Sequence, residues 1–268
     1  MRRRTTLPDR AVESPGKASS LERGLDVLRC FDAAEPMLSA AQIAERLRMP
    51  RGSALRLLAT LCDAQYLAHL PEPDLYRVHS EAILLGQAFL SGSQLVRRAR
   101  PVLQGFVDQH RCHAVLCVAR PEGLIALLYV HGSSARAKPG LGTGTIFSPE
   151  HSAVGHAWLW TEGPHAQAEC IARLRAADTT GRAGGAAELY RAFHELERTG
   201  VCTLPDARRG TVMSATPIDA GNAAKAILGS ILDLDDPLAE SDAYVQSLRK
   251  AAERITDVIL GHRRAASW

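Results

Sequence analysis

Apolar positions recur with a helical period through the first hundred residues and again after residue 240. Between them lie short runs with a period of two. Leu21, Leu25, Leu28 and Phe31 make one stripe, with Ser19 or Ser20 placed to cap it, which predicts a first helix that turns this stripe to the core. Ser39-Ala-Ala-Gln42 is a capping box, and Leu38 and Ile43 flank it at the spacing of a hydrophobic staple. Ile43, Ala44 and Leu47 give that second helix an apolar face. Pro50 ends it, because a residue before proline is pushed out of the helical region, while the proline itself suits the first turn of a new helix. Ala54, Leu57, Leu58 and Leu61 then fall at i, i+3, i+4 and i+7, a single buried stripe.

The opposite face of this third helix carries Gly52, Arg56 and Ala59, with Ser53 and Thr60 beside them. Small residues, hydroxyls and an arginine permit close approach to a phosphate backbone and contact with base edges. An ordinary solvated face would be crowded with Glu and Lys. Tyr66–Leu70 and Leu75–Val78 alternate as two strands around a Pro71-Glu72-Pro73-Asp74 tip. Three helices followed by a hairpin make a winged helix-turn-helix, with Arg51, Gly52, Ser53, Arg56 and Thr60 as candidate contacts to double-stranded DNA. Two other readings stand beside this one. One is a small helical bundle without a ligand. The other is a sensory or scaffolding protein whose winged domain binds protein, to which Leu55 on the flank of the helix lends some support.

Further along, Ser80 caps a helix with a broad apolar surface at Ile83, Leu84, Leu85, Ala88 and Phe89. Gly92 interrupts it, and Leu95 resumes it through Pro101 to Val102, Leu103, Phe106 and Val107. So much apolar surface needs a partner, and a two-fold operator needs two recognition helices, so at least a homodimer is expected. Residues 114–119 and 124–130 read as strands, Gly140, Gly142 and Gly144 as a mobile loop, and 153–160 and 166–176 as helices. A surface loop spans 181–185. A helix marked by Leu189, Phe193 and Leu196 follows, then strands at 201–204, 211–216 and 224–232 with a turn at 219–222. Val245, Leu248, Ala252, Ile255 and Ile259 line a long final helix. Strands in hairpins with helices alongside give an α+β second domain. The partition is thus a basic arm at 1–18, a winged domain at 19–80, a linker and dimerisation helix at 81–100, and the α+β domain at 101–263.

Composition narrows the function classes only a little. The chain has 268 residues, 46% hydrophobic and 23% charged, with a net charge of +3, as expected of a globular protein with a sizeable core. No apolar run is long enough to span a membrane, and no apolar segment follows Arg2-Arg3-Arg4, so a cytoplasmic location is expected. The six cysteines are scattered and read as buried thiols. His110, Cys112, His113 and Cys117 hint at zinc, but His113 and Cys117 share one strand face while Cys112 points the other way. Buried thiols with a partly exposed histidine are the better reading, and no metal or cofactor is expected. GLGTGT lacks the Lys-Ser/Thr ending of a phosphate loop, no Gly-x-Ser-x-Gly elbow occurs, and no catalytic residue is assigned.

Residues 20–262 resemble the IclR family of bacterial transcriptional regulators in SLERGLDVLRCF, LSAAQIAERLRMPRGSALRLLATL and the hairpin ending LYRV. In that family a Ser-Thr pair usually opens the recognition helix. Here Ser53 matches the Thr and Arg56 the arginine that follows, while Gly52 replaces the Ser. The resemblance implies a GAF-like second domain, with helices on one side of a curved antiparallel sheet and a pocket for a small organic or aromatic acid on the other. Two motifs usually line that pocket. The first reads Ser148-Pro-Glu-His-Ser152-Ala-Val-Gly155-His156-Ala157, with Glu150 where a His is usual and His156 where a Lys is usual. The second reads Gly210-Thr-Val-Met213-Ser214-Ala-Thr-Pro217, with Met213 in place of a cysteine and Asp206 retained from an acidic pair. The resemblance therefore makes Ser152, Gly155, Asp206 and Met213 candidate effector contacts, and Ser230, outside both motifs, is a further candidate. The resemblance also extends the expected homodimer to a homotetramer. Gly155 stands at a helix start, where free N–H groups would favour a carboxylate.

Overall fold

The computed structural model describes residues 19–120, 123–133, 138, 140–177, 184–219 and 225–265, in two units that divide between Phe89 and Leu90. The expected arm at 1–18 lies outside the described residues, as do most of the loops expected at 181–185 and 219–222.

In the first unit, α1 (Ser19–Arg29), β1 (Met37–Leu38), α2 (Ala40–Arg46) and α3 (Arg51–Asp63) precede a hairpin of β2 (Leu67–Leu70) and β3 (Leu75–Val78). The hairpin pairs Leu67 with Val78 and Leu70 with Leu75, and β1 adds a short third strand against β3. Pattern alone missed β1, since two residues show no alternation. The core is Val27, Cys30, Leu38, Ile43, Leu58, Leu67 and Tyr76. The face of α1 therefore differs from expectation. Only its C-terminal half meets this core, where Leu28 and Phe31 pack at the edge, while Leu21 and Leu25 are 65% and 45% exposed. A stripe at helical spacing shows that a helix is amphipathic, not that its own domain is long enough to cover it.

α4 (Glu81–Gly92) crosses the division between the units and buries none of its residues. In the second unit α5 (Gln94–His110) runs through Pro101 without a break. β4 (His113–Arg120), β5 (Gly123–Val130), β6 (Ile146–Phe147), α6 (Ala153–Thr161), α7 (Pro164–Ala177) and α8 (Gly184–Thr199) follow. After them come β7 (Cys202–Asp206), β8 (Thr211–Ile218), β9 (Ala226–Asp233) and α9 (Asp242–Ala265). The six strands form an antiparallel sheet in the order β6-β5-β4-β9-β8-β7. Alternation along the strands splits the core in two. Ala114, Leu116, Leu228 and Leu232 pack on α5 and α9, while Val115, Cys117, Ile227 and Ile231 pack with α6 and with Leu196 of α8. Helices thus cover both faces of the sheet, whereas the family resemblance implied one. The glycine-rich stretch is also better held than a mobile loop. Gly144 N–H donates to the Ala126 carbonyl at 2.8 Å and Gly142 N–H to the Thr145 hydroxyl at 2.9 Å. Positive φ at Gly140 (+77°) and Gly144 (+88°) explains why glycine stands at those two positions.

Candidate functional sites

The polar face of α3 is aimed by the elements before it. Ser39 and Gln42 close the capping box, with Ser39 N–H donating to the Gln42 amide oxygen at 2.8 Å and Gln42 N–H to the Ser39 hydroxyl at 3.3 Å. Arg48 adopts a left-handed φ of 48°, and Met49 N–H donates back to the Ala44 carbonyl at 3.0 Å, which turns the chain sharply into α3. Pro50 is the N-cap of α3 rather than part of its first turn, and no side chain caps this end. Ala54 and Leu58 are fully buried, and Leu57 and Leu61 pack at the margin of the core. That stripe fixes the rotation of the helix and exposes Arg51, Gly52, Leu55, Arg56, Ala59, Thr60 and Asp63. The five expected contact residues are brought together, four exposed and Ser53 half-buried. The Arg56 guanidinium donates to the Ser53 hydroxyl at 3.2 Å, and the Thr60 hydroxyl donates to the Arg56 carbonyl at 3.0 Å. A Cβ added at Gly52 would meet open space, so the backbone does not force the departure from serine there.

In the second unit Ser152 is the N-cap of α6. Its hydroxyl accepts from Gly155 N–H at 3.1 Å and donates to the Ser148 carbonyl at 2.6 Å. Gly155 is needed for space, because a Cβ there would lie 2.3 Å from the Ser148 carbonyl oxygen and 2.6 Å from Pro149 Cα. This corrects the expectation of an open anion cradle at Gly155, whose N–H is already taken by Ser152. His156 is wholly buried, with Nε2 3.0 Å from the Glu150 carbonyl. Burial holds its pKa below the ordinary value, and the Glu150 carbonyl only partly opposes this. The ring is therefore neutral with Nε2 carrying the proton, unlike the lysine usual in the family. The Glu150 carboxylate receives Arg173 Nε at 2.9 Å.

Met213 is buried with Ala153, Val154 and Ile231 on the α6 face of the sheet. Asp206 closes the turn into β8, its carboxylate accepting from Arg208 and Arg209 N–H at 3.1 and 3.2 Å. Ser230 is 1% exposed but projects to the other face, since its neighbours Gly229 and Ile231 point at α6 while Leu228 and Leu232 pack on the α9 side. The structure thus places Ser152, Gly155 and Met213 on one side of the sheet, Asp206 at its margin, and Ser230 behind it.

Sequence reasoning missed Tyr129 on that same α6 face. Its hydroxyl is buried without a partner among the described residues, and its ring lies 4.6 Å from His131 and 5.6 Å from His113. His113 is 1% exposed, leaving His110 as the partly exposed histidine of this stretch, and the His113 Nδ1 accepts from Gly132 N–H at 3.3 Å. Nearby in sequence, Lys138 pairs with Asp233, the residue opposite Thr211 in the sheet. Only the alternation of β4 and β5 could have indicated this end of the sheet, and it does not say which polar tips are left unpaired. His110 instead contacts the Ser247 hydroxyl at 2.7 Å, and burial raises the Cys112 thiol to about 11, so the residues considered for zinc do not converge. No group of three potential ligands occurs among the described residues.

A capped helix, a sharp turn, a second helix with an exposed polar face and a hairpin wing define a winged helix-turn-helix protein, here followed by an α+β domain. Residues 20–71 match the family model of the IclR helix-turn-helix domain. Over 109 residues, 41% of this chain, there is 33% identity to the Pca regulon regulatory protein of Pseudomonas putida. The matched stretch spans 36% of the length of that relative. An IclR family transcriptional regulator from Brucella abortus shares the fold at a TM-score of 0.78 and 23% identity, over 90% of this chain and 93% of that one. An IclR homolog complexed with 4-hydroxybenzoate, from Microbacterium hydrocarbonoxydans, shares it at a TM-score of 0.69 and 21% identity, over 90% and 99% of the two chains. Residues 20–71 thus form a helix-turn-helix domain of the IclR type, and the chain as a whole shares the fold of IclR family structures.

Proposed function

We propose that this protein is a ligand-responsive transcriptional regulator that binds a pseudo-palindromic operator through α3, as a dimer or a dimer of dimers. The carrying observation is the exposed face of α3, where Arg51, Gly52, Arg56 and Thr60 converge without an acidic residue until Asp63. The uncapped N-terminus supports this, since its free N–H groups and the helix dipole suit a phosphate. On α3 itself the exposed apolar residues are Leu55 and Ala59, less apolar surface than a protein-binding face of that helix would present. Residues 19–80 act as the DNA-binding domain, 81–100 as linker and dimerisation segment and 101–263 as the sensor. No described helix is long and apolar enough to cross a membrane, which fits work in the cytoplasm.

The sensor is assigned a small, acidic organic molecule. The relative crystallised with 4-hydroxybenzoate supports that class. The site lies on the α6 face, where Ser152 and Gly155 shape one wall and Met213, Asp206 and Tyr129 contribute contacts. The DNA-binding reading is tested by titrating full-length protein against DNA from upstream of its neighbouring genes. Arg56→Ala should weaken binding by roughly 1–3 kcal/mol, and affinity should fall steeply with salt. Equal affinity of variant and wild type in that titration removes Arg56 from the interface.

A further inference from the structure

Leu55 is 42% exposed and lies on the flank of α3, outside the buried Ala54–Leu58 stripe and next to the exposed Gly52 and Ala59. It therefore gains little from its own domain. We infer that Leu55 is a specificity residue, packing against the 5-methyl group of a thymine in the major groove. The assignment rests on the DNA-binding reading of α3.

Its surroundings select that contact. Gly52 and Ala59, three residues before and four after, project little, and open space surrounds Gly52. Leu55 is thus the one large apolar group raised above this face. The polar side chains beside it are drawn back along the helix, Arg56 onto the Ser53 hydroxyl and Thr60 onto the Arg56 carbonyl. Arg51 and Arg56 supply positive charge around it, and the only acidic residue of α3, Asp63, stands at the far end. Basic flanks fit a polyanion. A single leucine makes too small a patch to dock an apolar protein surface. Within the major groove, the thymine methyl is the apolar feature that base edges present to a protein, and a leucine side chain complements it.

The experiment uses full-length protein and duplexes enriched by wild type from a random-sequence library. Each thymine of the enriched duplex is replaced in turn by deoxyuridine, which removes the methyl group and keeps the hydrogen-bonding edge. At one thymine per half-site, wild type should lose roughly fourfold in affinity, the worth of one buried methyl group. Leu55→Ser should show the same loss on the thymine duplex and no further loss on the uracil duplex, while Leu55→Met retains the discrimination. Because Leu55 is outside the core, unchanged melting temperatures will show that the variants fold. The assignment is overturned if wild type tolerates deoxyuridine everywhere, or if Leu55→Ser discriminates thymine from uracil as wild type does. A library without any enriched duplex would overturn the DNA-binding reading itself, and this assignment with it.

Discussion

At Gly155 the loop backbone of Ser148 and Pro149 passes so close to α6 that no side chain fits. Gly155→Ala should therefore destabilise the protein by about 1–3 kcal/mol, the usual range for overpacking, as measured by urea denaturation. Gly52→Ser, where space is open, should stay within about 0.5 kcal/mol of wild type. The two glycines look alike in the sequence and differ in what surrounds them. His156 gives a pH-dependent prediction. Its folded pKa lies below the ordinary 6.5, so the unfolded chain takes up the proton first as pH falls. Its contribution is constant above pH 6.5, and stability should decline as pH drops from 6.5 toward the lowered value. His156→Gln keeps a donor for the Glu150 carbonyl but does not titrate, so its melting temperature should fall less between pH 7 and pH 5. An equal fall in both proteins would show that other groups govern the acid limb. Sequence made His156 conspicuous as a departure from a motif. It could not show that the ring is neutral, because that depends on burial by residues distant in the chain.

Among elements, those with strong local signals were legible. The Ser39–Gln42 capping box and the Ala54–Leu58 stripe were readable because caps and helical faces are set within a few residues. The two-residue strands β1 and β6 escaped, being defined by their partners rather than by their own pattern. The outward face of α1 was misjudged for the opposite reason, a clear pattern with nothing in its own domain to cover it. α4 is the extreme case. It buries no residue, and Ile83, Leu84, Leu85 and Phe89 all stand more than half exposed. Such a surface favours self-association, and we expect a dimer at least. Light scattering at micromolar concentration should show the wild type associated and Leu84→Glu/Phe89→Glu shifted toward monomer, with helix content kept. A wild type that is monomeric under those conditions would assign α4 another role.

Across the whole molecule, the order of elements was legible, while the allocation of residues to the two faces of the larger sheet was not. Ser230 and Met213 stand together among the candidate effector contacts, yet the pairing of β8 with β9 sets Met213 opposite Ile231 and Ser214 opposite Ser230, on alternate faces. Tyr129 reaches the Met213 face through a third strand, β5, which no single motif spans. This division gives the proposed ligand site a test that motif resemblance could not. A thermal-shift screen of organic and aromatic acids should produce hits, since a ligand at a hundredfold its dissociation constant stabilises by about 2.7 kcal/mol. For such a hit, Met213→Trp should fill the α6 face and abolish the stabilisation. Tyr129→Phe should weaken it by removing a hydroxyl that has no partner among the described residues. Ser230→Ala, behind the sheet, should leave it unchanged. A hit that is lost with Ser230→Ala and kept with Met213→Trp would move the site to the side of the sheet covered by α5 and α9.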